Sequence, residues 1–240
     1  VQLSYQQEPD SIIYCVRGDG QLASLTYQPD QDVVGWSRQI LGGSFQGGAA
    51  VVESVASIPG QNGSGQFKDS TGRDELWVSV KREINGTTKR YIECLEKTFN
   101  GDEDLQEEAF YVDSGLTLDA PVTIADITKA NPGVVTTSTV HGFSNGDEVR
   151  IVRVKGMTEV NNKSFLVAGV TSNTFQLQDL DSANVNTTSN STYSTGGEVR
   201  KKVSSISGLS HLEGESVQVF ADGAIQTEKT VSSGGITLDT

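Results

Sequence analysis

Two histidines and two cysteines are the first residues in this chain that could do chemistry. His141 lies in Val140-His141-Gly142-Phe143, and His211 lies in Leu209-Ser210-His211-Leu212-Glu213. A metal site wants a second His or Cys within a few residues, and neither histidine has one. Both are read as structural or turn residues. Cys15 and Cys94 each sit in an apolar, strand-like run (Ile12 to Val16 and Tyr91 to Leu95). They are read as buried free thiols of a reducing cytoplasm, because a disulfide framework shows more cysteines.

The remaining constellations are weaker. The acidic stretch Asp102-Glu103-Asp104-Leu105-Gln106-Glu107-Glu108 lacks the twelve-residue carboxylate spacing and central glycine of a calcium loop, so it reads as a solvated face. Paired carboxylates for glycoside hydrolysis can be distant in sequence, and 31 acidic residues make a chance pairing uninformative. Gly60 to Gly65 is glycine-rich without the Gly-Lys-Ser/Thr of a phosphate loop. There is no Gly-x-Ser-x-Gly elbow. Arg17-Gly18-Asp19 spells an adhesive tripeptide, but its place at a hairpin tip makes it turn chemistry. The five Asn-x-Ser/Thr sequons (Asn62, Asn85, Asn162, Asn186, Asn190) are likewise read as turn residues. No catalytic, cofactor-binding or metal-binding residue is assigned, no cofactor is called for, and the chain is not expected to be an enzyme.

The elements that would position these residues are β almost throughout. Ser11 to Val16 and Gln21 to Tyr27 flank Arg17-Gly18-Asp19-Gly20, a hairpin signal. Val33 to Leu41, Ala50 to Ile58, Leu76 to Ile84 and Lys89 to Lys97 follow, the last two joined by Asn85-Gly86. The alternation in Trp77-Val78-Ser79-Val80-Lys81-Arg82 marks a half-buried strand. Asp102 to Val112 alone reads as helical. Further on, Val122 to Thr128, Gly133 to Thr137, Asp147 to Val154, Ser164 to Thr171 and Thr174 to Gln178 form five short strands, the pattern of a small barrel or sandwich. Ser182 to Gly197 reads as a mobile or irregular loop. Ser216 to Ala221, Ala224 to Val231 and Ile236 to Leu238 are strands of the tail.

Charge divides the chain at the same places. Residues 1–118 carry nine basic and eighteen acidic side chains, residues 119–203 carry eight of each, and residues 204–240 carry one and five. All of the net −13 therefore lies outside the middle block. The expected organisation is a host domain built from 1–118 and 204–240, with 119–203 inserted as a separate module. The acidic balance opposes a wrapping grip on nucleic acid. No apolar run approaches the roughly 20 residues of a membrane-spanning helix.

Two stretches carry a resemblance. Ile127 to Thr137, His141-Gly142-Phe143-Ser144-Asn145-Gly146-Asp147-Glu148-Val149-Arg150-Ile151, Gly156 to Asn161, Phe165-Leu166-Val167 and Asn173-Thr174-Phe175 are similar to a small β-barrel module of phage tail and prophage proteins. That module is labelled after the first catalytic cysteine half-domain of ubiquitin-activating enzyme (FCCH). The block holds no cysteine, so ubiquitin transfer is not implied.

The flanks resemble the tail nozzle proteins of short-tailed phages, also called tail tubular protein B. The likeness rests on Val16 to Leu22 with Leu25-Thr26-Tyr27, Val34-Gly35-Trp36-Ser37, Trp77 to Arg82, Arg90 to Glu93, Gly208 to Val217 and Asp222-Gly223-Ala224. It implies an all-β host domain of antiparallel sheets, partly propeller-like or a sandwich, with an inserted small β-barrel. It also implies a structural virion protein made in a bacterial host's cytoplasm. Such a subunit forms a homo-oligomeric ring, a hexamer in the family, that passes DNA without specific binding. Its partners are the tail adaptor and tail fibres. Nozzle proteins continue through more β structure, so the chain is expected to be part of a longer subunit. The insert is expected to be exposed, decorating the tail or meeting a host surface. The competing expectations are a carbohydrate- or host-surface-binding β module, which would need exposed aromatics, and a cell-wall-active enzyme, which no motif supports.

Overall fold

The computed structural model describes residues 1–59, 73–96, 110, 112–118 and 121–239. It is all-β and antiparallel, and it divides into two compact units: 1–116 with 206–239, and 117–205. The helix expected over 102–112 lies outside the described residues except for Phe110 and Val112, which are not helical. The glycine-rich 60–65 segment also lies outside them. No helix among the described residues is long and apolar enough to cross a membrane.

The first unit opens with four strands in sequential order, β1 (Gln2–Gln6), β2 (Ile12–Val16), β3 (Leu22–Gln28) and β4 (Val33–Gln39). Arg17 N–H donates to Gln21 O (2.9 Å) across the β2–β3 turn, and Arg17 pairs with Asp19 (2.9 Å), so the tripeptide is bonded within its own turn. After the short pair β5 (Ser44–Phe45) and β6 (Gly48–Ala49) come β7 (Val51–Ile58), β8 (Glu75–Ile84) and β9 (Thr87–Cys94), a second sheet in that order. Asn85 and Gly86, both at positive φ, make the two-residue β8–β9 turn, as Asn-Gly chemistry requires.

These two sheets share one core. Tyr14, Val16 and Leu22 of the first pack with Val52, Val55, Leu76, Val78 and Val80 of the second. The alternation expected in β8 is present: Leu76, Val78, Val80, Arg82 and Ile84 are all buried.

The return segment is a nested hairpin. It pairs β16 (Ser205–Ser207) with β21 (Gly235–Thr237), β17 (Ser216–Val217) with β20 (Lys229–Thr230), and β18 (Phe220–Ala221) with β19 (Ala224–Ile225). The two longer strands expected here are each broken. Asp239 Oδ2 takes the Thr227 N–H (2.9 Å) and hydroxyl (2.8 Å), which draws that backbone out of the ladder.

The second unit is a closed barrel of six strands in the order β10 (Val122–Ile127), β11 (Val134–Thr137), β14 (Thr174–Gln178), β13 (Lys163–Ala168), β12 (Glu148–Lys155) and β15 (Thr195–Lys201). The sequence reading missed β15, whose Gly196-Gly197 start looked like loop. That strand pairs with both β10 and β12 and closes the barrel. Gly197, at φ +100°, is required there, because a Cβ would meet Val154 Cγ2 at 2.6 Å.

The preceding segment is irregular but anchored. The buried Thr187 hydroxyl bonds Thr128 O (2.7 Å), and Tyr193 OH donates to Gly196 O (2.9 Å). The barrel interior is filled by side chains, among them Val135, Val149, Ile151, Phe175, Leu177 and Val199. Phe175→Ala is expected to cost about 3–5 kcal/mol, read by urea denaturation. Deleting 119–203 is expected to leave the β-sheet circular dichroism of the remaining chain cooperative on heating.

Candidate functional site

The most unusual surface of the first unit follows from register. In an antiparallel sheet, directly paired residues point to the same face. Tyr5 pairs with Ile13, Ile13 with Leu25, and Leu25 with Trp36. Leu3 pairs with Cys15, and Tyr27 with Val34. All of them lie on the face opposite the buried Tyr14, Val16 and Leu22. Trp36 is 65% exposed, Val34 63% and Tyr5 52%.

The polar alternates face inward instead. Ser24 is buried, its hydroxyl bonded to Ser37 Oγ (2.6 Å) and receiving Gln39 Nε2 (2.9 Å). In β4, Val34 and Trp36 stand on the outer face, while Ser37, itself exposed, lies on the side of the buried Ser24. Contiguous exposed apolar surface of this kind marks an interaction site. Strand β4 is also a sheet edge: seven residues long, six of them exposed, and unpaired on its outer side among the described residues. Strand β9 likewise ends the second sheet among the described residues.

An ion pair between a buried arginine and a half-buried glutamate holds the neighbouring sheet. Arg82 lies on the apolar row of β8 and is bonded through both Nη atoms to Glu93 of β9. Its Nε–H donates to Gly42 O (2.6 Å) and its Nη2 to Ser114 Oγ (2.8 Å). The Tyr91 ring lies 5.4 Å from its guanidinium carbon. Gly43, at φ +89°, leaves room for it, because a Cβ there would meet Arg82 Cδ at 2.7 Å. The sequence reading did not single out Arg82. Its place in the Leu76-x-Val78-x-Val80-x-Arg82-x-Ile84 alternation was the available signal.

His211 lines a groove of about 340 Å3 with Ile84, Asn85, Tyr91, Ser210 and Glu213, all within the first unit. Its backbone carbonyl accepts Tyr91 OH (3.2 Å), and its ring stands edge-on to Tyr91. Glu213 accepts the Ser233 and Gly234 N–H groups (2.9 and 2.7 Å), which fixes a turn.

In the barrel, buried His141 takes the Phe143 N–H on Nδ1 (2.9 Å) and stacks on the Phe143 ring. Its role is packing. Among the described residues no group of three or more His, Cys, Asp and Glu side chains could hold a metal ion.

Both cysteines are free, as expected, but half-buried rather than buried. Cys15 belongs to the outer apolar face. Burial, then Glu75 and Glu96, push the Cys94 thiol up to about 12.

Among known families, residues 130–202 match the one described as the ubiquitin-activating enzyme E1 FCCH domain. The match covers 73 of the 240 residues, runs from just before β11 through β15, and contains neither cysteine. What the barrel is similar to is thus a small β module. No curated protein matches the chain.

Removing Arg82 leaves the half-buried Glu93 with only the Ser114 hydroxyl as partner among the described residues, so Arg82→Ala is expected to cost about 3 kcal/mol, the low end for a buried pair, by chemical denaturation. Arg90→Ala, which breaks an exposed pair with Glu53, should leave the midpoint unchanged. Because the thiolate is the nucleophile, Cys94 should react with iodoacetamide only slowly at pH 8. Its rate should rise roughly tenfold per pH unit to beyond pH 10, followed by mass spectrometry of the alkylated peptide.

Proposed function

We propose that this chain is part of a non-enzymatic structural subunit of the phage tail nozzle type, and that it assembles with other copies of itself into a ring around a DNA channel. The observation that carries the reading is the outer face of the β1–β4 sheet, where Trp36, Val34, Tyr5 and Leu3 stand in solvent above a sheet whose inner face already has its core. A second copy is the occupant of that face. Strands β4 and β9 each end their sheet among the described residues, and a contact that sets β4 of one copy against β9 of the next is head-to-tail, the kind that closes into rings.

Charge agrees with the role assigned to the channel. The net −9 of residues 1–118 and −4 of residues 204–240 would repel phosphate and let DNA slide rather than stick. The tail adaptor and fibres are the further partners, and the virion tail is the site of action.

Electron microscopy of the wild-type chain at rising concentration should show rings or arcs of regular subunit number. Trp36→Glu, which buries a charge in any such contact, should leave single particles of the monomer's size with an unchanged melting temperature. Monomers at every concentration in the wild type, or rings unaffected by Trp36→Glu, would refute the reading.

A further inference from the structure

The barrel unit is electrically neutral as a whole, yet its charges are not evenly placed. Of the eight basic residues in 119–203, Arg150, Arg153 and Lys155 lie on β12, Arg200 and Lys201 on β15, and Lys202 directly after it. These two strands are neighbours in the barrel. Arg150 is paired directly across from Arg200. Their sequence neighbours Val149, Ile151 and Val199 fill the interior, so both arginines point outward.

Like charges directly opposite on one face destabilise a sheet, and uncharged residues would avoid that cost. Glu198 offsets part of it, taking Arg153 Nη1 on one oxygen and Arg200 Nη2 on the other, both at 3.0 Å. The Arg150 side chain makes no hydrogen bond or ion pair with any described residue, and it is exposed. Arg200 Nε is buried without a hydrogen-bond partner. Arg153 is held at φ +60°, a left-handed conformation uncommon for a non-glycine residue inside a strand. Strain, like-charge pairing and an unsatisfied guanidinium N–H thus coincide on one small patch.

Guanidinium groups present paired N–H donors in a planar fork, which matches the oxygens of a phosphate better than an ammonium does. We propose that the outer face of β12 and β15 binds a phosphate group of a sparsely phosphorylated glycan, with Arg150 and Arg200 as the two forks and Glu198 holding the orientation of Arg200. The patch is short. At the β12 start Asp147 and Glu148 already neutralise Lys201 and Lys202. Duplex DNA carries a charge about every 1.7 Å, so it would set further phosphates against those carboxylates and against a chain of net −13. A polymer with one phosphate per sugar repeat places a single phosphate on the forks and hydroxyls beyond them. This site is independent of ring formation and stands or falls apart from it.

The test is titration calorimetry of the full chain with poly(ribitol phosphate), with neutral dextran and a 24-base-pair DNA duplex as parallel arms. The expected result is saturable binding of the phosphate polymer, weakened at least tenfold between 50 and 200 mM salt, with no dextran binding and weaker DNA binding. Arg150→Ala should lose at least tenfold in affinity while melting at the wild-type temperature, since that side chain has no internal partner. Arg150→Lys should recover only part of the loss, because charge returns without the fork. Absence of binding, equal binding by Arg150→Ala, full recovery by Arg150→Lys, or tighter binding of DNA would each overturn the proposal.

Discussion

A strand shows alternate side chains to opposite faces, so one choice of register commits a whole sheet. The pairing Tyr5–Ile13–Leu25–Trp36 is the choice on which the first unit depends. It sends Tyr14, Val16 and Leu22 into the core shared with β7 and β8, and it sends an equally apolar row into solvent. Shifting the pairing by one residue would exchange the two faces and bring serine pairs outward. The half-buried Ser24–Ser37 contact, completed by Gln39, satisfies the polar groups on the inner side of the β3–β4 pair beside the core residue Leu22. The apolar outer row is therefore compatible with a stable fold, and the free energy available from covering it remains for association.

The two units treat their edges in opposite ways. The barrel closes through β15 and leaves no strand unpaired. Its specific features lie in charge placement on the outer face, while its interior is ordinary close packing. The first unit ends in open strands at β4 and β9, and its strongest internal constraint is electrostatic. Arg82 draws Gly42, Glu93 and Ser114 to one buried point, tying β8 and β9 to segments remote in sequence. The proposed assembly role of one unit and the proposed recognition role of the other both rest on that contrast.

Most strands of both sheets and five of the six barrel strands were legible, because two-residue periodicity and Asn-Gly or Asp-Gly turns are local signals. Strand β15 was not. Its glycines are there for bulge geometry against Val154 and Ile124, a tertiary demand that local composition disguises as loop. The tail strands were over-extended because Asp239 competes for backbone donors from ten or more residues away. The surface features were the least legible. Val34 and Trp36 lie in a strand that the sequence indicates, but pairing is needed to show which of its faces is already filled, and the facing of Arg200 depends on β15, which was itself missed.

The central claim is that β4 and the face it carries are covered by another copy of the chain. Hydrogen–deuterium exchange of the β4 peptide, compared between dilute and concentrated protein, tests it directly. The account predicts that the Val33–Gln39 amides exchange rapidly when dilute and become protected as concentration rises, while the barrel peptides do not change. Amides of β4 that stay equally unprotected at every concentration would contradict it.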